Sequence, residues 1–579
     1  MRKRHFLFAS ALALLCSSGA LHAQDFKLTS SGYFKNQGVD VMAFDDIYPE
    51  GHQGGVCIIM NGHRVATKGG IRLEATPGQW QPVPKQLDRK LGDNSITATL
   101  CYPDSSRHLT GFNPMIYPDL HLIYTVQVES KGKHIEVTVD LDRPIPQEFI
   151  GKVGFNLEFF PGSLFGKPWI MDGQSGIFPQ QPNSPLMTTQ PNYLHTGNYH
   201  DGKKSLADMD KLIGKGYSPI VADDIISEPY AKGTKFTSRP DDPYNKVTIE
   251  SLSGDLQLFD GRMNHNNGWF VLRSNIKPGV TKGAVKWIIT PNVVADWMYQ
   301  PVIQTSQIGY HPTQDKEAVI EMDIRDNRKE TAQIIRIDAD GEKVVKNVTP
   351  ANWGKFLRYN YLKVDFTDVK EAGLYKIKYD TSVSPIFRID NDVYARGVWQ
   401  PVLEYFLPVQ MCHMRVNEKY RVWHDCCHMD DAQMAPAHNH IDGYDQKEGL
   451  SKFKPGEVVP GVNIGGWHDA GDFDLRIESQ AGESYILALA YEAFHPNLDV
   501  TSIDQINRVT EIHQPDGKND LLQQVENGAL TVVNGYLALG RLYRGIICND
   551  LRQYVLLGDA AAMTDGKIGN EDDRWIFME

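Results

Sequence analysis

The sequence predicts a multidomain protein: an N-terminal β-sandwich, an immunoglobulin-like β-sandwich, and then an all-α region. Three observations carry that expectation. The chain has 579 residues, more than one ordinary domain holds, so two to four domains are expected. From residue 24 to about 390, apolar residues alternate with polar ones and are separated by turn formers. After Asn391-Asp392 the apolar period becomes that of a helix. The boundaries read as 1–23, 24–300, 301–390 and 391–579.

Residues 1–23 read as a signal peptide. Arg2, Lys3 and Arg4 open it, and the apolar run 6–15 is too short to span a bilayer. Ser17, Ser18 and Gly19 break the run. Cleavage is expected after Ala23, which makes the protein secreted or periplasmic. No later stretch reads as a membrane span. The net charge of -13 argues against nucleic acid as a partner, because phosphates call for a basic face.

In 24–300, Val56–Met60, Asn61-Gly62 and 63–67 read as a hairpin, with Asn-Gly supplying the tight turn. Segments 122–128 and His134–Leu141 alternate and are joined by Lys131-Gly132-Lys133, and 285–290 reads the same way. No helical pattern of comparable strength interrupts them. The Gly, Pro and aromatic-rich stretch 159–169 reads as packing rather than sugar binding. Residues 179–245 read as long loops.

In 301–390, strands are expected at 318–322, 333–337, 362–366 and 374–379, with turns such as Asp340-Gly341 and Ala372-Gly373. Short strands with regular turns fit an immunoglobulin-like sandwich. Beyond it, Tyr394, Val398, Trp399, Val402, Leu403 and Phe406 recur at helical spacing behind an Asp cap, and Pro401 marks a bend or break. Segment 480–494 reads as a buried helix, apolar on most sides. Segment 521–544 is expected to hold one or two helices with Leu522, Val525, Ala529, Val532 and Val533 inward.

The chemistry concentrates in Gly465-Gly466-Trp467-His468-Asp469-Ala470-Gly471-Asp472. On a helical turn, residues three apart share a side. Two carboxylates so placed shift each other's ionisation and suit the gripping and deprotonation of a water. Spacing alone does not decide this, since such pairs also cap helices or sit solvated. The whole octapeptide resembles the signature of glycoside hydrolase family 9, the cellulase-type family. Matched position by position, the resemblance implies that Asp472 is the general base and that Asp469 helps hold the water. Trp467 is a candidate for stacking a glucosyl ring, with a core tryptophan beneath the loop as the other reading.

Gln307-Ile308-Gly309-Tyr310-His311-Pro312 resembles the opening of the Ig-like module that precedes many family 9 catalytic domains. The region after Asn391 resembles the first half of an (α/α)6 barrel. The family's catalytic domain is about twice as long as that region, so the sequence is expected to end in mid-domain. The family's general-acid Glu then has no counterpart here, and this length alone is expected to be inactive. The resemblance implies inverting hydrolysis of a β-1,4-glucan polysaccharide or oligosaccharide. The two carboxyl groups of an inverting pair stand roughly 6.5–9.5 Å apart to admit the attacking water. The rival reading is a non-catalytic carbohydrate-binding or scaffold protein with a degenerate or truncated hydrolase domain.

Cys412, Cys427, His428 and His468 form a second constellation. Two thiolates and two imidazoles suit tetrahedral structural zinc. A disulfide from Cys412 to Cys426 or Cys427, or buried free thiols, are the alternatives that the residues leave open. Family 9 enzymes with the Ig-like module include some with a structural zinc, and its ligand positions match these four. His424 and Cys426 flank the set as substitutes. Calcium also occurs in the family, and Asp516, Asp520, Asp572 and Asp573 are acidic enough, though they read as solvated surface. No organic cofactor is implied.

Overall fold

A computed structural model describes residues 25–45, 55–74, 76–77, 84–102, 120–182, 187–189, 225–263, 268–411, 413–426, 429, 431–439, 445–469, 474–548 and 574–579. Among the described residues, the N-terminal unit holds two antiparallel nine-stranded sheets and, within the stretch expected to be loops, a two-stranded one of Met187–Thr189 with Ile225–Ser227. In spatial order, the first runs Lys27–Leu28, Phe34–Asn36, Val39–Ala43, Val56–Met60, His63–Leu73, Val153–Phe159, Phe270–Asn275, Leu256–Asp260 and Ala231–Gly233. The second runs Gln174–Ile177, Pro168–Met171, Lys235–Ser238, Val247–Ser251, Val285–Pro291, His134–Leu141, Ile123–Lys131, Ser95–Cys101 and Lys85–Leu91.

Alternation puts one face of each sheet into a shared core that includes Ile58, Val126, Val137, Phe155, Leu157, Phe236 and Trp287. Phe155 meets Trp287 edge to face at 4.9 Å. Strand Val153–Phe159 is buried along its whole length. Its Phe155 and Leu157 enter the core, while Asn156 between them takes the opposite direction and joins a buried polar cluster. There Arg273 Nη1 donates to Glu74 Oε1 at 3.2 Å and Asn156 Nδ2 donates to the same oxygen at 2.6 Å. Arg273 Nη2 also donates to the carbonyls of Glu74 and Lys152. Burial outweighs the nearby Arg273 and pushes Glu74 up to about 7.

The next unit has two facing sheets. One is ordered Val302–Gln304, Glu317–Asp323, Tyr359–Asp365, Ala351–Phe356. The other is ordered Gly341–Val348, Ala332–Asp338, Gly373–Tyr379, Ser382–Val383, with Phe387–Ile389 also on Gly373–Tyr379. Ile320, Ile334, Leu362, Ile377 and Phe387 fill the space between them.

The region after 390 overturns the expected all-α half-barrel. Among the described residues it holds three α-helices: α1 (Gln400–Glu404), α2 (Ile477–Phe494) and α3 (Asp520–Leu539). The remaining regular structure is short strands. Arg421–His424, Arg415–Glu418, Val509–Ile512 and Thr501–Asp504 form one sheet, and Gln433–Met434, Arg574–Phe577, Gly545–Cys548 and Leu475–Arg476 form another. The helical spacing of 394–406 yields one short helix, because Pro401 sits in its first turn and cannot donate to a turn before it.

The two longer helices also depart from their expected faces. On α2, Tyr485, Ile486, Leu489 and Phe494 are exposed. On α3, Leu522 and Val533 are exposed, while Gln523, Gln524, Asn527 and Thr531 are buried. No helix among the described residues is long and apolar enough to cross a membrane.

Candidate active site

The loop 465–469 is fixed from beneath by α2 and α3. Gly465 and Gly466 both have positive φ, at 73° and 87°. A Cβ on Gly465 would lie 2.3 Å from the Asn527 carbonyl, so only glycine allows this approach to α3. Gly466 N donates to that carbonyl at 2.9 Å, and Asn527 Nδ2 donates back to the Gly466 carbonyl at 3.2 Å. This exchange explains why α3 turns Asn527 inward: it meets loop backbone, which needs donors and acceptors.

Trp467 is 1% exposed. Its backbone is held twice by Gln480 of α2, which accepts from Trp467 N at 2.8 Å and donates to its carbonyl at 3.1 Å. The indole Nε1 donates to Gln524 Oε1 at 3.2 Å, and the ring packs edge-on against Phe406 at 5.2 Å. The side chain thus lies in the core under the loop. His468 N donates to the Val409 carbonyl at 2.7 Å.

Asp469 reaches the surface, with its side chain 34% exposed, and Arg476 Nε stands 2.9 Å from its carboxylate. Its backbone N donates to the Asp474 carbonyl at 2.8 Å, which ties together the two ends of 470–473. Asp472 belongs to that stretch and lies outside the described residues. Asp474 is fully buried, and Arg476 Nη2 stands 4.0 Å from it. Glu483 of α2 is raised above the usual carboxyl range, first by burial and then by the charge of Asp469. Among the described residues, one guanidinium and three carboxylates therefore cluster around Asp469. Arg476 and Glu483 do not stand out in the sequence. Their only signal is position: one caps α2, and the other lies two turns along it.

Cys412, Cys427 and His428 lie outside the described residues. His468 is described, and its ring centroid stands 6.3 Å from that of His424. The His424 ring nitrogens are buried without a side-chain partner, next to the backbone of Met414 and Asp425. Cys426 Sγ instead faces the His413 and Arg508 carbonyls at 3.6 and 3.9 Å. Among the described residues no group of three potential ligands converges. Of the acidic residues considered for calcium, Asp520 accepts from Val500 N and Thr501 N, and Asp516 accepts from Gln523 Nε2. Asp572 and Asp573 lie outside the described residues.

Comparison with known proteins adds family-level context. Residues 298–384 match the family described as cellulase N-terminal ig-like domain. A 238-residue stretch is 22% identical to endoglucanase D of Acetivibrio thermocellus and covers 40% of this chain. That match spans 34% of the relative's length, so the chain accounts for about a third of it. Among solved structures, a Bacteroides ovatus GH9 protein is similar at 19% identity and a TM-score of 0.32, covering 42% of this chain and 41% of that one. The GH family 9 endoglucanase J30 is similar at 21% identity and a TM-score of 0.30, covering 46% and 44%. A Zn-binding triple mutant of J30 gives the same values.

Proposed function

We propose that this chain acts as a secreted or periplasmic glycoside hydrolase of the cellulase type, cleaving a β-1,4-glucan with inversion. The observation that carries the reading is the loop 465–469, held rigidly by α2 and α3 and delivering Asp469 to the surface beside Arg476. Asp472 takes the proton of the attacking water. Asp469 accepts a hydrogen bond from that water and is itself oriented by Arg476. Trp467 acts from below, by fixing the backbone that carries both carboxylates. Protonation of the leaving oxygen falls to a second carboxyl group, across the scissile bond from the water.

The test is Asp472→Ala in the full-length protein, assayed on a soluble neutral β-glucan. Hydrolysis is expected to vanish while the thermal transition is kept. Retained turnover refutes the role of Asp472. Proton NMR of fresh product is expected to show the α-anomer first, and a β-anomer would exclude inversion. If wild-type protein binds glucan but never cleaves it, the non-catalytic carbohydrate-binding reading takes over.

The same reading includes a structural zinc beside this loop. His468 and the thiolates Cys412 and Cys427 would hold it with His428, and the neighbouring His424 offers another nitrogen. When bound, it would brace the backbone one residue before Asp469. Metal analysis of purified protein is expected to find zinc, and Cys427→Ser to lose it. Export is checked by intact mass, which is expected to show the chain beginning at Gln24.

A further inference from the structure

The outer face of the sheet containing Glu317–Asp323, Tyr359–Asp365 and Ala351–Phe356 carries a strip of aromatic rings. Strand alternation sends Ile320, Met322, Leu362 and Val364 into the core. Glu321 lies opposite Tyr361, and Asp323 opposite Tyr359, on the other side. The rings follow one another: Phe356 to Trp353 at 6.5 Å, Trp353 to Tyr361 at 5.7 Å, Tyr361 to Tyr359 at 6.1 Å, and Tyr359 to Tyr299 at 5.0 Å. The far end is open to solvent, with Trp353 55% and Phe356 56% exposed. The near end runs into a cavity of about 370 Å³ between the two β units, lined by Trp297, Tyr299 and Tyr359 together with Asp40, Lys35 and Arg358.

We propose that this strip and cleft bind a neutral β-linked glycan chain, at a place separate from the Asp469 loop. A sugar ring has apolar C–H faces and a rim of hydroxyls, and it asks for aromatic faces flanked by hydrogen-bonding groups. Tyr299 Oη donates to Glu321 Oε1 at 2.8 Å, so this carboxylate lies within the strip with further lone pairs to offer. Neighbouring charges are matched inside the protein: Lys363 with Glu317 at 2.8 Å, and Arg325 with Asp323 at 2.7 Å. These two pairs leave no charge of their own to select an ionic ligand. The cavity falls in the size range of ligand sites, which favour domain junctions. The choice of β-glucan as ligand rests on the hydrolase reading, whereas the location of the surface does not.

Affinity electrophoresis of the full chain tests this, with hydroxyethyl cellulose as the neutral β-glucan and dextran as the α-linked control. Retardation is expected with hydroxyethyl cellulose only. Losing one stacked ring is expected to weaken binding roughly two- to tenfold, so Trp353→Ala and Phe356→Ala together should nearly abolish it. Trp353→Phe should retain most of it. Both residues are exposed, so the variants are expected to fold, and unchanged thermal transitions check that. Absence of retardation, or retardation unchanged in the double variant, overturns the proposal. So does a dimer that the double variant disrupts without any glycan binding, since that makes the strip a protein contact. Asp472→Ala should leave retardation intact. If that variant alone loses it, binding belongs to the loop and this inference fails while the hydrolase reading stands. Retardation that depends on Trp353 and Phe356 keeps this inference whether or not the chain cleaves the glucan.

Discussion

Glu74 and Asp469 each lie against an arginine, at 3.2 Å from Arg273 and 2.9 Å from Arg476, yet Glu74 is 1% exposed and Asp469 34%. The first pair sits under a continuous sheet and shares its hydrogen bonds with Asn156 and two backbone carbonyls. The second sits at the end of a loop whose backbone is bonded to two helices while its carboxylate faces solvent. Burial at Glu74 makes ionisation unfavourable even beside a guanidinium, so that group serves packing. At Asp469 the supporting contacts are made by backbone and indole, and the carboxylate is one-third exposed. A stiff support with a solvated acid at its tip is what the proposed role of Asp469 calls for.

The sharpest way to break the comparison is at Arg273. Arg273→Met removes the donor that satisfies Glu74, Asn156 and two carbonyls, and is expected to destabilise the N-terminal unit by about 3–5 kcal/mol. Hydrogen exchange of peptides covering Val153–Phe159 measures it. The pH dependence is the next largest effect. The folded-state value for Glu74, about 7, lies above its ordinary 4.5. The unfolded chain therefore releases this proton first, and stability falls as pH rises from about 4.5 to 7, by up to about 3 kcal/mol. Glu74→Gln mimics the protonated form and should flatten this slope, while costing little below pH 5. A slope that survives in Glu74→Gln would mean that another group titrates there.

What is legible in the sequence follows the same division. The octapeptide stands out because its glycines, tryptophan and acids are local. The two roles open to Trp467 cannot be separated without knowing that Gln480, Gln524 and Phe406 close around it. The inward face of α3 escapes the apolar pattern because periodicity counts apolar residues. Asn527 and Gln524 are turned inward by hydrogen bonds to a loop some sixty positions earlier, which no local pattern records. Likewise, the apolar spacing at 394–406 points to a helix bent or broken at Pro401, of which only the short α1 forms, and the barrel that the family resemblance implies gives way to short strands.

A smaller perturbation tests the support under the loop. A Cβ on Gly528 of α3 would lie 2.3 Å from the Trp467 ring and 2.2 Å from Ser484 Oγ. Gly528→Ala is expected to cost about 1–3 kcal/mol through overpacking, partly offset by better helix propensity. It should lower hydrolysis although it touches no carboxylate. Thermal denaturation together with kcat on soluble glucan reads both. If kcat is unchanged despite a lowered transition, the indole does not position the acids.

Arg476→Ala is expected to have the smallest effect on stability, below about 1 kcal/mol, because its partner Asp469 is one-third exposed and screened by solvent. The effect on activity should be larger and of a distinct kind. The guanidinium stands 2.9 Å from the Asp469 carboxylate and orients it, so its removal should lower kcat more than it raises KM. Arg476→Lys, which keeps the charge but not the Nε contact, should restore kcat only in part. An unchanged kcat in Arg476→Ala would mean that the orientation of Asp469 does not matter to the reaction, and would place the two arginine pairs in the same structural class.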